Sequence, residues 1–211
     1  MAMPMRLVFR DQAELVMGFK ERAYSMTQEE FTRAYRLTGE CALTKGTDLN
    51  EACMDRILAD VIGPKVLEVG CGEGKLSGAM SRSHQVTACD IVIRPELSHI
   101  HPHIRFQEAN AEELPFGDDE FDTVVCTHTL EHVRNLRTAL SELRRVARRR
   151  LIVVVPMERP YRYTFNLHLH FFPYPHALRA AMGDAHESVC DVVDGDLYYV
   201  EDSTQLPVIL S

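Results

Sequence analysis

Three glycines stand at alternate positions directly after a short apolar run, in the stretch VLEVGCGEGKLSG that covers residues 66–78. Glycine tolerates positive φ angles and lacks a Cβ, so a ligand can lie against the main chain at Gly70, Gly72 and Gly74. About 20 residues further on, Asp90 ends a second apolar run, where a carboxylate can accept hydrogen bonds from both hydroxyls of a ribose. This spacing predicts a nucleoside site.

The spacing of the glycines distinguishes two kinds of nucleoside ligand. Dinucleotide sites carry GxGxxG, which seats a pyrophosphate on a helix N-terminus, whereas this turn has the form GxGxG. Glu68 and Glu73 lie within and beside the turn, where they would repel a pyrophosphate and attract a cation. The pattern therefore favours a positively charged sulfonium nucleoside. Cys71 is interpreted as a tolerated small residue of the turn and not as a nucleophile.

The elements that must position these residues alternate after Pro64. Short apolar or β-branched runs are separated by stretches long enough for helices, which is typical of a doubly wound α/β sheet. The runs cover residues 65–69, 85–91, 104–109, 121–127 and 150–155. A helix is predicted over about 135–147, where apolar residues recur every three or four positions. Ligands of such sheets bind at the carboxyl ends of the strands, where the strand order reverses.

Both ends of the chain depart from this alternation. Residues 11–24 and 27–37 are predicted helices, the second opened by a capping-box spacing. Near the other end, Asp194 and Gly195 join two strand-like runs in a tight hairpin. We therefore expect a Rossmann-like sheet of about seven strands whose last strand is antiparallel.

One domain, residues 1–211, is expected, because this length supports a single core. Its parts are an N-terminal helical cap region, a core, a lid segment and a C-terminal helix with hairpin, at 1–63, 64–155, 156–176 and 177–211. The lid segment is rich in proline, aromatic residues and histidine, a composition that disfavours a helix and suits a semi-rigid loop over a site.

Composition narrows the classes of partner. A net charge of −8 disfavours a general binder of nucleic acid or of anionic membranes. The sequence contains no membrane-length apolar run and no signal-peptide pattern, and its six cysteines are scattered without a CxxC pair. We expect a cytoplasmic protein, either a monomer or a homodimer, with no membrane association.

The motifs VLEVGCGEGKLS, CD at Asp90, and EANAEELPFGDDEFDTVVCTHTLEHV together resemble the class I S-adenosylmethionine-dependent methyltransferases of the methyltransferase-11 type. The resemblance covers roughly residues 64–156 and continues more weakly through HFFPYPHAL and the hairpin. It implies S-adenosyl-L-methionine as cofactor, S-adenosyl-L-homocysteine as product, and the Rossmann-like fold. It says almost nothing of the methyl acceptor.

The resemblance also implies roles for individual residues. The glycine turn, with Glu68 and Cys71, would line the methionine and ribose, while Ile91 would pack on the adenine. Asn110 stands where the family usually has an aspartate, and its amide oxygen can still bond the adenine amino group. The main chain at Ala111 and Glu112 would complete the adenine edge, and Thr127 would face the methionine. Arg36, Lys45 and Lys75 remain open as partners of the methionine carboxylate.

Histidines are the candidate proton acceptors, since a histidine with a pKa near neutrality suits a hydroxyl or ammonium acceptor. The resemblance places His128 and His132 near the reactive centre, and His168 is the third candidate catalytic residue. His128, Glu131 and His132 also form an HxxEH arrangement that can coordinate zinc or iron if the segment is helical. Because the family commonly has L-E-H there without a metal, no bound metal is expected.

Arginine is concentrated in one strip: residues 134–162 hold nine arginines and two acids. In the lid segment, Arg159 accompanies Tyr161 and Tyr163, and an arginine there can grip a carboxylate or phosphate. We expect a small-molecule acceptor, methylated at O or N and bound by these three residues with His170. Two alternatives stay open: an RNA or tRNA methyltransferase that uses the strip 134–162, and a non-catalytic cofactor-binding protein.

Overall fold

The computed structural model describes residues 18–39, 49–161, 167–183 and 187–203. Its strands are β1 Lys65–Val69, β2 Gln85–Asp90, β3 Arg105–Glu108, β4 Phe121–Thr127, β5 Ala147–Pro156, β6 Ser188–Val193 and β7 Asp196–Asp202. Its helices are α1 Gln28–Gly39, α2 Glu51–Asp60, α3 Lys75–Met80, α4 Leu97–Ile100, α5 Leu136–Val146 and α6 Pro175–Met182. Residues 18–22 are also helical and lead into a 3₁₀ turn, Ala23–Ser25. Among these described residues, no helix combines the length and the apolar character that a membrane span requires.

The strands form a seven-stranded sheet in the order β3-β2-β1-β4-β5-β7-β6. Strands β1 to β5 pair in parallel, whereas β7 is antiparallel to both β5 and β6. The strand order reverses between β1 and β4, which is where a doubly wound sheet opens a ligand crevice. The predicted α/β class, the doubly wound sheet and its antiparallel last strand are confirmed.

Strand β4 is central to the packing, since all seven of its residues are buried. Side chains alternate across a strand, so neighbouring residues of β4 belong to different cores. Val124 and Cys126 pack in the cluster that contains α5 and α6, while Val125 packs in the cluster that contains α2 and α3. The two layers of helices hold the sheet rigid from both faces, which fixes the strand ends that build the site.

Helix α1 begins with the predicted capping box. The backbone N–H of Thr27 donates to Glu30 Oε2 at 2.8 Å, and the N–H of Glu30 donates to Thr27 Oγ1 at 3.2 Å. The helix runs to Gly39, two residues past its predicted end. Helix α2, whose bounds the sequence did not indicate, starts at Asn50, which accepts from the Cys53 N–H at 2.8 Å. Residues 11–17 of the first predicted helix lie outside the described residues.

Residues 18–39, here called the N-terminal layer, cover the carboxyl edge of the sheet. Phe19, Ala23, Phe31 and Ala34 form a buried cluster with Leu167 of the lid segment, and Ile91 packs against it. Two cations tie the layer down: Lys20 Nζ donates to the Tyr161 carbonyl, and Arg134 Nη1 donates to the Met26 carbonyl, each at 2.8 Å. The layer therefore forms a wall over the end of the sheet where the glycine turn lies.

The C-terminal hairpin turns at the residues that the sequence indicated. Asp194 and Gly195 both have positive φ angles, 46° and 91°, as a tight hairpin turn of the primed type requires. Strand β7 is inserted between β5 and β6, and its first residue, Asp196, lies at the carboxyl end of β5 opposite Pro156. The hairpin thus brings a carboxylate to the same edge as the site.

Candidate functional site

The glycine turn leaves β1 with left-handed backbone at Gly70 and Gly72, where φ is 81° and 50°. A Cβ on Gly70 would lie 1.8 Å from Thr129 Oγ1, so this glycine is required by a contact inside the protein. A Cβ on Gly72 would meet nothing within 4 Å, because that position opens on the cleft. Gly72 is therefore the position at which a ligand can lie directly on the main chain.

Asp90, at the end of β2, closes on the same turn. Its Oδ2 accepts from the Gly72 N–H at 2.9 Å and its Oδ1 from the Val92 N–H at 3.4 Å. Burial raises the pKa of this carboxyl, and the hydrogen bond from Gly72 opposes the rise. The carboxylate is thereby oriented at the cleft edge with acceptor capacity left for hydroxyl donors.

The acids of the turn differ in their charge state. Glu68 is 2% exposed, its carboxyl accepts from the Ser77 hydroxyl, and burial raises its pKa to about 8. Glu73 pairs with Arg94, whose Nη1 lies 2.9 Å from Glu73 Oε1. Glu68 is therefore mainly protonated at neutral pH, and the negative charge of Glu73 is compensated by Arg94. These two acids therefore attract a cationic ligand less strongly than the sequence suggested. Asp90 also lines the cleft, and the described contacts give it no ion pair with an arginine.

The cleft has a volume of about 920 Å³ and opens at the carboxyl ends of β1, β2 and β4, a size within the range of small-molecule sites. It brings together most of the residues predicted to hold the cofactor. They are Glu68, Gly70, Cys71, Gly72, Asp90, Ile91, Asn110, Ala111, Glu112 and Thr127. Gly74, the remaining one, does not line the cleft and instead forms the N-cap of α3, against Leu97 and Phe106.

The segment after β3 is held in shape by its own side chains. Asn110 Oδ1 accepts from the Glu112 N–H at 3.0 Å, which is a local turn bond. Glu112 Oε1 accepts from the N–H groups of Arg134 and Asn135 at 2.7 and 3.1 Å, so this carboxylate is used at the start of α5. The cleft wall here consists of main chain together with the Asn110 amide, while the Glu112 carboxylate has an architectural role.

The segment between β4 and α5 is not helical, so His128 and His132 do not share a helix face. His128 has a φ of 47°, and its Nε2 lies 3.2 Å from Asp196 Oδ2. His132 packs edge-on against Tyr35, with 5.6 Å between ring centroids, and burial lowers its pKa to about 3. Both histidines line the cleft, but only His128 is held by a carboxylate.

Of the residues predicted from the lid segment, the four that the structure describes do not line the cleft. His168 is buried, with Nδ1 2.8 Å from Glu158 Oε2, and His170 Nε2 lies 2.9 Å from the Val133 carbonyl. Arg159 Nη2 donates to the Tyr174 hydroxyl at 3.1 Å, and Tyr161 is 49% exposed. Tyr163 lies outside the described residues. A substrate-contacting role for this group stays a prediction.

The cleft also contains residues that sequence reasoning missed or left open. Tyr35 and Phe31 of α1 line the cleft. Sequence reasoning missed them because this helix lies more than 30 positions from the strand ends that form the cleft, and no local pattern indicates that the two meet. Thr129 lines it as well and is the partner that requires glycine at 70. Arg36 and Lys75, two of the open candidates for the methionine carboxylate, both reach the lining, whereas Lys45 is not among the described residues.

Four of the nine arginines in the strip 134–162 form ion pairs. Arg144 pairs with Glu201, Arg145 with Glu142 and Asp118, Arg148 with Asp122, and Arg150 with Asp202. Several of these bonds are bidentate or reach main-chain carbonyls, so they connect α5 and β5 to their neighbours. These four arginines therefore stabilise the packing of α5 and β5, and their charges are compensated by the paired acids.

Comparison with known proteins agrees with the geometry. The family model described as "Methyltransferase domain" matches residues 67–155. The O-methyltransferase rstn1 of Aspergillus nomiae is 34% identical over 101 residues, which are 43% of this chain and 45% of that protein. Demethylmenaquinone methyltransferase of Clavibacter sepedonicus is 32% identical over 125 residues, 56% of this chain and 51% of that protein. The chain spans about half the length of the curated relatives it matches.

A solved structure shows the same fold over a longer range. It is the 1,6-didemethyltoxoflavin-N1-methyltransferase of Burkholderia thailandensis with bound 1,6-didemethyltoxoflavin and S-adenosylhomocysteine. The TM-score is 0.60 at 22% identity, over 87% of this chain and 89% of that one. This likeness shows the Rossmann-like α/β fold. Residues 67–155 match the methyltransferase domain family, which agrees with the sequence resemblance to the methyltransferase-11 type.

Proposed function

We propose that this protein is an S-adenosylmethionine-dependent methyltransferase that methylates a small-molecule acceptor at an oxygen or a nitrogen. The observation that carries the proposal is the cleft at the switch point, where Gly72 presents bare main chain beside the Asp90 carboxylate. The family match over residues 67–155 supports the enzyme class and its cofactor. The named relatives include O-methyltransferases and a quinone methyltransferase, and the structural neighbour is an N-methyltransferase.

The residues present fit the cofactor. Asp90 would accept the ribose hydroxyls, and the open face of Gly72 would lie against the nucleoside. Ile91 and the main chain around Ala111 would hold the adenine between them. Either Arg36 or Lys75 would pair with the methionine carboxylate. When bound, the sulfonium supplies an electrophilic methyl group for in-line displacement, and the chain contributes orientation and exclusion of water.

His128 is the proposed proton acceptor. The Asp196 carboxylate orients the His128 ring through its contact with Nε2. The same Oδ2 atom accepts from Asn50 Nδ2 at 2.8 Å, which holds the carboxylate in place. Nδ1 is therefore the ring nitrogen proposed to take the proton. Thiol chemistry is disfavoured at the turn, because burial and the nearby Glu68 raise the pKa of Cys71 and keep it protonated. A His128→Gln variant is expected to lose about 10²–10³-fold in kcat, with little change in the affinity for S-adenosylhomocysteine.

The acceptor is proposed to be small because the cleft is covered by the N-terminal layer and the lid segment. Phe31, Tyr35 and Leu49 line its inner side, which favours an acceptor with an apolar or aromatic portion. A reducing, cytoplasmic location is part of the proposal. It is supported by the free thiols at all five cysteines that the structure describes.

The first test is calorimetry of the purified protein with S-adenosylhomocysteine. We expect binding with one site per chain, weakened at least 10-fold in Asp90→Ala and unchanged in Asp55→Ala, which replaces an aspartate of α2 outside the cleft lining. The second test incubates the protein and S-adenosylmethionine with metabolite extracts and looks for products heavier by one methylene unit. Absence of any heat with S-adenosylhomocysteine would overturn the proposal, whereas heat without a product would favour the non-catalytic alternative.

A further inference from the structure

A compact group of metal-binding side chains lies behind the cleft wall. Glu131 comes from the loop after β4, His132 follows it, and His168 comes from the lid segment. One carboxylate oxygen and one ring nitrogen from each histidine all lie within 4.8 Å of one another. The rings of His132 and His168 meet edge-on, with centroids 4.6 Å apart. Distant parts of the chain thus converge on one point.

The group contains buried polar atoms without hydrogen-bond partners among the described residues. Both carboxylate oxygens of Glu131 and Nδ1 of His132 are in this state, and Glu131 is only 1% exposed. The nearest cationic candidate to Glu131 is His128, whose Nδ1 lies 3.7 Å away, beyond hydrogen-bond distance. Buried carboxylates are normally paired, hydrogen-bonded or bound to a metal. Glu131 therefore has no hydrogen-bond partner among the described residues and only this longer ion-pair contact with His128.

The surroundings of the two histidines match those of metal ligands. Metal-bound histidines usually donate their second ring nitrogen to a carboxylate or a carbonyl, which fixes the tautomer. His168 Nδ1 lies 2.8 Å from Glu158 Oε2, which leaves its Nε2 as the lone-pair nitrogen. The main chain of Leu167 hydrogen-bonds the His132 ring, whose Nδ1 stays without a partner. The Tyr35 ring packs edge-on against His132, and the Phe171 ring lies 6.3 Å from the His168 ring.

We propose that Glu131, His132 and His168 bind one zinc ion. One carboxylate and two imidazoles form a borderline donor set that suits Zn²⁺ better than Mg²⁺ or Ca²⁺, which prefer oxygen ligands alone. In a zinc site each ligand atom lies about 2.0–2.2 Å from the metal, so the ligand atoms are closer to one another than 4.8 Å. Small rotations of the three side chains would bring their ligand atoms to these distances. Three protein ligands leave a fourth position for water or substrate.

The site differs from the metal alternative that the sequence suggested. The HxxEH spacing would combine His128 with Glu131 and His132 on a helix, but the segment is not helical and His128 turns to Asp196. His168 replaces it, from 36 positions beyond His132. Since His132 also lines the cleft, an ion here would lie next to the proposed acceptor position. A catalytic role for the ion rests on the proposed function, whereas binding of the ion does not.

Metal binding is tested on untagged protein after removal of metals with a chelator. Zinc is titrated in competition with a chromophoric chelator, and Co²⁺ is titrated separately and followed by its visible absorption. We expect one equivalent of each metal per chain. Zinc affinity falls more than 100-fold in Glu131→Gln and in His168→Asn, and about 10–100-fold in Glu158→Gln, which changes only the outer partner. His103→Asn, an exposed histidine, serves as the matched control and binds like the parent protein.

The outcomes separate this inference from the proposed function. Near-UV circular dichroism confirms that each variant is folded, and if Glu131→Gln is not, Glu158→Gln and the cobalt spectrum still decide. Weak binding of several equivalents, or stoichiometric binding that neither Glu131→Gln nor His168→Asn reduces, overturns the zinc site. Calorimetry with S-adenosylhomocysteine on the same samples reports the cofactor site independently. If zinc does not bind but S-adenosylhomocysteine does, the proposed function stands without the zinc site. If zinc binds but S-adenosylhomocysteine does not, the zinc site stands without the proposed function.

Discussion

Gly70 and Gly72 show how neighbouring residues of one type serve different purposes. Gly70 makes room for the Thr129 side chain, which in turn donates to the Thr127 carbonyl at 2.9 Å and ties the end of β4 to the turn. A Cβ added to Gly72 would meet no atom within 4 Å, because this residue faces the cleft. At the scale of single residues, glycine is therefore needed at position 70 for packing and at position 72 for ligand binding. The GxGxG pattern by itself does not distinguish these two roles.

Replacement of Gly72 by alanine tests the ligand-binding requirement. The new Cβ projects into the cleft and the backbone is held at positive φ, so we expect a folding cost of about 1–3 kcal/mol and a loss of S-adenosylhomocysteine affinity. Gly183→Ala is the matched control, because Gly183 also has a positive φ and open space at the Cβ but ends α6, away from the cleft. Equal affinity losses in both variants would show that strain alone is responsible.

Glu68 provides a test by pH. Its pKa is about 8 in the folded protein, against an ordinary value of 4.5, so the folded state holds the proton more tightly than the unfolded state. The stabilising contribution of the protonated carboxyl is therefore fully present below about pH 4.5 and is lost as pH rises through 8. Relative to Glu68→Gln, which does not titrate, the parent protein should lose on the order of 1 kcal/mol of unfolding free energy per pH unit in this window.

Urea unfolding of both proteins between about pH 5 and 8 measures this difference. Glu51→Gln, at an exposed position of α2, is the control and should follow the parent protein closely at every pH. Parallel curves for the parent protein and Glu68→Gln would show that the carboxyl is not protonated in the fold.

At the scale of elements, the N-terminal layer makes the cleft from an open sheet edge. The Phe31 ring lies 5.6 Å from the Phe19 ring and 5.1 Å from the Tyr35 ring, and the Arg134 guanidinium lies 4.9 Å from the Phe31 ring. This aromatic contact joins the layer to Leu167 of the lid segment and to the loop before α5. The cover over the site is therefore one packed unit built from three separate stretches of chain.

Truncation of Phe31 to alanine should open this cover without disturbing the sheet. Truncation of a buried phenylalanine costs about 3–5 kcal/mol, and here the lost contacts are those that hold the N-terminal layer in place. Hydrogen exchange is expected to accelerate in residues 18–39 and 167–171 and to stay slow in β4, with weaker binding of S-adenosylhomocysteine. Tyr24→Ala, 61% exposed in the same layer, should change neither. Faster exchange in β4 as well would contradict an independent cover.

At the scale of the whole molecule, charge is distributed by pairing. The net charge is −8, and four of the arginines in the strip 134–162 are each bound to an acid from another element or turn. Paired arginines release few counterions on binding a polyanion, and the chain as a whole is acidic. The distribution suits a protein that acts on small molecules more than one that grips RNA.

Filter binding with total RNA tests this at the molecular scale. We expect no retention at about 150 mM salt and a shallow dependence on salt below it, because the net charge of −8 repels a polyanion. Glu142→Gln, which releases Arg145 from its carboxylate partner on α5, should increase retention at low salt. Tight binding by the parent protein with a steep salt dependence would revive the alternative of an RNA methyltransferase.

The strands, the hairpin, the capping box and the glycine turn were predictable because each is encoded in residues close together in the chain. Alternation indicated the bounds of β1 and β4 within a residue, and Gly70, Gly72 and Asp90 mark strand ends directly. The HxxEH interpretation required a helix, and the positive φ of His128 ends that possibility. Arg159 and Tyr161 do not line the cleft in the structure, and their contact with a substrate stays a prediction.

The sequence by itself determined the α/β class, the glycine turn and the acid that follows it, since periodicity and turn chemistry are local properties of the backbone. Only the tertiary structure decided which histidine meets Glu131, which arginines are neutralised and which helix covers the cleft. Each of those depends on contacts between segments such as Glu131 and His168, or Arg144 and Glu201. Their distances follow from how helices and strands pack, which no short stretch of sequence encodes.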